Sequence, residues 1–445
     1  MKFKKFSQMI FIKNRQRKKI IIFFLILLKL KIIGYSSLFA TLDISEKSIK
    51  VGFYCDKIKF GGVERVVSLL INLLSNETNF TLYLITNKGL LEGEYTIPKN
   101  TKRIFVYENF RILFKEIKMQ HIDILIYNFY VGKEFKKLSK LKKTKIIYYD
   151  HSSFLLWVYF HYYNFKNTIY YIYKKCNYVI STIPVENDYL FKKWGINSIF
   201  MDNPTTFNYD LVKPSDLSQK IIIMVGRADE IKRYDIGIRA MKNIVDEIPE
   251  CQMKIVSDNN KKCQSLIDNL SLEKNVIFVG FQKNIEIYLK NASLHILPSL
   301  SESYSMALAE AKIFGIPSII CGLDYLALAK GGTIIIYDDN PNTIAKEAIR
   351  ILKDDEFRKK LGKEARKSME KHRNSFITQK WVKLLLAVYD GNIESFRKLQ
   401  ILDINNQLSK EEAENIINNQ FYLLKKRIPQ LSNITLEQFK SYSFQ

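Results

Sequence analysis

Short apolar runs of strand character, separated by helical stretches, recur in two successive sets, and this rhythm constrains the fold more than any other feature. Ile49–Cys55 (IKVGFYC) is followed by a glycine pair and an apolar-periodic helix, Val63–Leu74. Phe80–Thr86, Ile122–Tyr127, Lys145–Tyr149 and Tyr178–Thr182 continue the first set. Asn203-Pro204 through Pro214-Ser215 reads as a linker. The pattern then restarts with Lys220–Val225, Met253–Ser257, Val276–Val279, Leu294–Leu297, Ser318–Cys321 and Thr333–Tyr337. Strands alternating with helices imply right-handed βαβ units and parallel sheets. The expected architecture is two doubly wound, Rossmann-like α/β domains, residues 49–205 and 206–372, matching 445 residues at roughly 100–200 per domain. A helix over 373–390 carries Trp381, and 391–445 reads as a helical tail of unassigned role. Ser409 with Glu412 and Thr435 with Gln438 fit capping boxes there.

Composition narrows the function. Hydrophobic residues at 47% and charged residues at 26% are globular proportions, which excludes wholesale disorder. Five scattered cysteines form no disulfide framework and no zinc-ligand spacing, so they read as reduced thiols. The net charge of +24 fits nucleic acid, an anionic membrane or anionic substrates, or else a genome-wide bias toward Lys, Ile, Asn and Tyr. No zinc-finger spacing or basic-aromatic signature of a single-strand binder accompanies it. Ten Lys or Arg residues and no acid lie between Met1 and Leu42, around the apolar run Ile20–Leu28. Lys29 and Lys31 follow that run and would fall near the middle of a span stretched to Leu42, where a lysine costs about 2.5–3.5 kcal/mol. A signal peptide lacks its small-x-small pair, because Leu38 stands where Ala40 needs a small partner. Residues 1–48 therefore read as a basic-apolar anchor on an anionic membrane surface, the alternative being an extension without function.

Four constellations can carry chemistry. Gly61 and Gly62 sit between a strand and a helix, where backbone and helix N-terminus can approach an anion, although a purely structural turn fits equally. The fingerprint G-x-G-x-x-G is missing there, which argues against a nicotinamide or flavin enzyme. Gly226-Arg227 follows the strand KIIIMV, with Lys232 five residues on; two cations at a strand's carboxyl end can clamp a diphosphate or simply be solvated. Pro298–Pro317 (PSLSESYSMALAEAKIFGIP) is the most specific: a strand stop, a small-residue loop with Glu302, a helix with Glu310, then Gly315 and Pro317. Two carboxylates spaced E-x7-E suit the hydroxyls at opposite ends of a nucleotide sugar, and the helix N-terminus between them suits phosphates. His151, after the strand KIIYY, faces a ligand crevice, whereas His295 inside LHIL reads as a core residue. His121, His161 and His372 have no sequence neighbours that single them out, and no Asp-x-Asp pair offers a metal site.

These residues, in this order and spacing, resemble the family 4 glycosyltransferases, retaining enzymes of the GT-B architecture. The resemblance covers about Lys50 to Val388. It implies two domains facing across a cleft, an acceptor domain first and a nucleotide-sugar donor domain second, with 373–390 crossing back to the first. Arg227 and Lys232 would bind the donor diphosphate, with Gly61 and Gly62 facing it; Glu310 would hold the ribose and Glu302 the transferred sugar. The amides from Ser303 through Tyr304 and Ser305 to Met306 would contact sugar and phosphate, and His151 would lie near the sugar carbon under attack. Ser303 and Ser305 replace glycines usual in the family, which puts loop conformation and sugar choice in question. Neither the N-terminal extension nor the long tail is usual there. The implied reaction is metal-independent transfer of a hexose or N-acetylhexosamine from a nucleoside-diphosphate sugar, UDP-sugar favoured, with no other cofactor and no nucleic-acid partner. The acceptor would be a glycan or lipid-linked glycan in cell-surface polysaccharide or lipopolysaccharide synthesis, at the cytoplasmic face of the membrane. Alternatives are a nucleotide-sugar epimerase on the same fold and a basic nucleic-acid-binding or membrane scaffold protein. Base, sugar, linkage and oligomeric state are not encoded legibly.

Overall fold

Strands that bury both faces must alternate two apolar sets, and the first sheet does so. Val51, Phe53 and Cys55 point to one side and Tyr54 to the other; Ile124 and Ile126 oppose Leu125 and Tyr127 in the same way. The computed structural model describes residues 48–128, 132–157, 168–403 and 408–436. The N-terminal anchor and the Thr435–Gln438 box fall wholly or partly outside these residues. Among the described residues no helix is long and apolar enough to cross a membrane.

The first sheet has seven parallel strands: β1 (Ile49–Cys55), β2 (Phe80–Thr86), β3 (Lys102–Phe105), β4 (Ile124–Tyr127), β5 (Lys145–Tyr149), β6 (Tyr178–Ser181) and β7 (Ser198–Phe200). Their order is β3-β2-β1-β4-β5-β6-β7. The second sheet, β8 (Ile221–Val225), β9 (Gln252–Val256), β10 (Val276–Phe278), β11 (Leu294–Leu297), β12 (Ser318–Cys321) and β13 (Thr333–Ile336), runs β10-β9-β8-β11-β12-β13, also parallel. Two doubly wound α/β domains are therefore present, as the rhythm predicts. The sequence reading missed β3 and β7, both edge strands. No residue of KRIF is fully buried and SIF has three residues, so neither shows a periodic apolar signature.

Chain order reverses beside β1 and β4 in the first sheet and beside β8 and β11 in the second, so a crevice opens at the carboxyl ends of these four strands. The glycine pair follows β1, Gly226 follows β8 and Pro298 follows β11. Helix Asn374–Asp390 returns to the first domain, where Ile377, Trp381, Leu384 and Val388 pack in the core of β1 and helix Gly62–Leu74. Its Trp381 ring backs Tyr149 at 5.3 Å. The tail is helical, Ile393–Asp403 and Lys410–Arg427, and Ser409 and Glu412 form the expected capping box.

Candidate functional site

The glycine pair serves two purposes. Gly61 has φ +105°, and a Cβ there would stand 2.4 Å from Glu64 Oε2, so the turn needs glycine itself. Nothing lies within 4 Å of the corresponding position on Gly62, which leaves its backbone open to a ligand. On the facing loop, a Cβ at Gly226 would meet Lys232 Cε at 2.9 Å, so this glycine lets the lysine stem lie across the strand end.

Lys232 and Glu302 come together: Nζ stands 2.6 Å from Oε1, and both side chains are mostly buried. Arg227 does not join them. Its side chain is 78% exposed and pairs with Asp229 at 3.3 Å, so the two expected diphosphate cations are separated here. Glu310 is 1% exposed and accepts from Thr206 Oγ1 at 2.7 Å and Arg65 Nη1 at 3.0 Å. Burial raises its carboxyl above the usual range, against the pull of Arg65. Arg65 lies in the helix after the glycine pair, so this ion pair bridges the cleft.

The loop between the two acids is held from both sides. Ser303 Oγ donates to the backbone carbonyl of His151 at 2.7 Å, a second bridge across the cleft. Tyr304 is buried and its hydroxyl finds no hydrogen-bond partner among the described residues, so the side chain contributes packing. Ser305 adopts φ 63°, a left-handed conformation that favours glycine, and its hydroxyl caps the helix at Leu308 N, 3.3 Å away. Met306 packs against the cores of both domains.

His151 stacks on Tyr149 at 4.1 Å, and Nε2 stands 2.8 Å from Asn128 Oδ1. The Asn128 amide nitrogen donates to Tyr54 and Ile126 carbonyls, leaving Oδ1 as the acceptor, so Nε2 carries the proton. Burial lowers the ring to about 3, and it is neutral at physiological pH. Asp150 points away, taking bonds from Tyr173, Trp157 and the Ser152 amide; burial raises it to about 6. Glu186 accepts from Ser153 Oγ at 2.7 Å and Phe154 N at 2.9 Å, and burial raises it to about 8. These two acids support the His151 segment from below.

Sequence reasoning gave no site role to Arg65, Thr206 or Asn128, nor to Tyr325, whose hydroxyl contacts the Glu302 backbone. Only Arg65 carried a signal, its place directly behind the glycine pair. His372 also gains a partner that its sequence neighbours do not show: Nδ1 stands 3.1 Å from buried Asp202. His295 is fully buried against Ser318, as a core residue should be, and all five cysteines are free thiols.

The chain is similar to known proteins in sequence and in fold. Residues 209–368 match the family model described as glycosyl transferases group 1. The N-acetyl-alpha-D-glucosaminyl L-malate synthase of Bacillus anthracis is 31% identical over 158 residues, 34% of this chain and 41% of that protein. The chain thus spans less than half the length of that relative. An uncharacterized glycosyltransferase of Haemophilus influenzae is 22% identical over 76% of this chain and 99% of its own length. Among solved structures, sucrose-phosphate synthase from Thermosynechococcus elongatus superposes with TM-score 0.64 at 17% identity, covering 77% of this chain and all of that one. HepE of Anabaena, solved with UDP and glucose, gives TM-score 0.63 at 16% identity over 76% of this chain and 100% of its own. Residues 209–368 thus resemble the glycosyl transferases group 1, and the chain has the two-domain GT-B fold.

Proposed function

We propose that this protein is a retaining glycosyltransferase of family 4. It moves a hexose or N-acetylhexosamine from a nucleoside-diphosphate sugar, UDP-sugar favoured, to a glycan or lipid-linked glycan acceptor. The observation that carries this reading is the Lys232–Glu302 pair at the carboxyl ends of β8 and β11, with Glu310 on the same loop-helix unit. A cation for phosphate, a carboxylate for sugar hydroxyls and a second carboxylate for ribose stand in the order a nucleotide sugar requires. HepE, which shares the fold, was solved with UDP and glucose.

In this reading the diphosphate is the leaving group, and Lys232, the Gly62 backbone and the helix N-terminus at Met306 stabilise the charge that develops on it. Arg227, exposed in this arrangement, swings onto the phosphates when they arrive; the chemistry then calls for no metal. Neutral His151 offers its ring near the sugar carbon as a positioning group, since its protonated form is suppressed well below neutral pH. The acceptor enters against the first domain, and cleft closure excludes water. The basic residues 1–48 favour a site of action at the inner membrane face, in surface polysaccharide or lipopolysaccharide synthesis.

The test is a thermal-shift screen of the full chain against UDP, GDP, ADP and their sugar conjugates without added metal. A nucleoside diphosphate that raises Tm, and loses its effect in Lys232→Met, supports the donor site and names the base. Stabilisation by none of them would refute it.

A further inference from the structure

The tail contacts both domains. Helix Lys410–Arg427 lies on helix Pro184–Lys192 of the first domain. Ala413, Ile417, Phe421 and Leu424 are buried in one cluster with Tyr189 and Trp194, and Glu414 pairs with Lys193 at 2.7 Å. The same helix grips the second domain. Gln420 donates to Asp324 Oδ1. Arg427 engages Asp339 with two prongs, Nε to Oδ2 at 2.5 Å and Nη2 to Oδ1 at 2.7 Å, and also reaches the Cys321 carbonyl at 3.3 Å.

Both grips adjoin the donor loops. Tyr325, next to Asp324, accepts from the Glu302 amide and donates to the Glu302 carbonyl, each at 3.2 Å. Tyr325 and Leu300 also pack on the cluster that contains the tail. Asp339 holds Arg233 at 3.0 Å as well as Arg427, and Arg233 directly follows Lys232 in a left-handed conformation, φ 50°.

We propose that the C-terminal helix is a strap that completes the donor site: seated on the first domain, it clamps Asp324 and Asp339 and thereby fixes, through Tyr325 and Arg233, the loops bearing Glu302 and Lys232. The proposal rests on reading those two residues as donor ligands. Domains joined through small polar interfaces move relative to one another by default. A bidentate guanidinium–carboxylate pair adds a directional link, and preorganised loops bind a ligand at lower entropic cost. Tyr325, Gln420 and Arg427 are therefore positioning residues that touch no substrate.

The experiment titrates UDP into the full chain and into Gln420→Ala, Arg427→Met and Tyr325→Phe, with Tm measured for each. Arg427→Met and Tyr325→Phe are expected to weaken UDP binding about tenfold, the scale of one lost bond to a charged or tightly placed group, while Tm moves only a few degrees. Tyr325→Phe must reproduce the defect although it leaves the tail intact, a result that mere loss of tail packing would not give. Variants that bind UDP as wild type does would overturn the strap. If Arg427→Met fails to fold, Gln420→Ala with Tyr325→Phe decides the matter by the same comparison. If wild type binds no nucleoside diphosphate, the donor reading falls separately, and small-angle scattering judges the strap. An unchanged radius of gyration in a Gln420→Ala/Arg427→Met double variant would then overturn the clamp between the domains as well, and expansion would support that clamp alone.

Discussion

The Arg65–Glu310 pair offers the most direct test of how the two domains are joined. Arg65→Met keeps most of the aliphatic stem and removes the guanidinium. Glu310 is then left 1% exposed with Thr206 as its remaining side-chain partner. Breaking a buried pair from one side costs about 3–5 kcal/mol. Because the Arg65 side chain is 18% exposed and its charge partly solvated, the low end, about 3 kcal/mol, is expected at pH 7.5. Glu310→Gln should cost less, about 1–2 kcal/mol, since the amide still accepts from Thr206 and Arg65 can turn to water and the Tyr95 ring. Urea unfolding of both single variants and the double variant gives the coupling, expected at about 1–2 kcal/mol.

The sign with pH is fixed by the direction of the Glu310 shift. Burial raises this carboxyl in the folded state, so the folded protein holds a proton where the unfolded chain has released it. Its ionisation therefore costs stability as pH rises above the unfolded value of about 4.3. Without Arg65 the folded pKa moves higher still and that window widens. The deficit of Arg65→Met should thus be small at pH 4.5 and grow toward pH 7.5. A deficit that does not change with pH, or a coupling below about 0.5 kcal/mol, the worth of an exposed pair, would refute the reasoning.

Glu186, raised to about 8 by burial, makes wild type lose stability as pH climbs from about 4.5 to 8; Glu186→Gln should flatten that slope in a Tm-versus-pH series. An unaltered slope would mean that Glu186 does not titrate as its environment demands. Ser305→Gly gives up a cap but relieves a left-handed serine worth roughly 1–2 kcal/mol, so calorimetry should show equal or higher Tm, whereas Ser305→Val should lower it. Gly226→Ala places a methyl 2.9 Å from Lys232 Cε and should push the ammonium off Glu302, weakening UDP binding about tenfold at nearly constant Tm.

What could be read from the sequence was local. Strand, small-residue loop, helix, Gly315 and Pro317 punctuate one another within twenty residues, so Glu302 and Glu310 could be placed on their elements without a structure. The same holds for Gly226 with Lys232, and for the capping box at Ser409. Partnerships made by topology could not be read. Arg65 and Glu310 are 245 residues apart, and nothing in either segment announces the other. Glu186 looks like an ordinary acid in a helix's first turn; only the approach of Ser153 and Phe154 buries it. Arg227 shows the opposite limit, because a residue's type and spacing do not fix the rotamer of a long exposed side chain.

The two ion pairs at the cleft balance the charges of the site. Lys232 neutralises Glu302, and Arg65 neutralises Glu310, so none of these four charges stands alone in a region of low dielectric. In the proposed reaction a nucleotide sugar exchanges those partners: phosphate takes Lys232, sugar hydroxyls take Glu302, and ribose hydroxyls take Glu310. Each group leaves one hydrogen-bonded arrangement for another, and Arg65 alone must return to water, which its partial exposure permits. Binding then draws its selectivity from the match between ligand and exchanged partners. A free phosphate can satisfy Lys232 but strands Glu302, and a free sugar does the reverse; only a ligand carrying both, at the spacing of this loop and helix, gives Lys232 a counter-charge and both carboxylates hydrogen-bond donors.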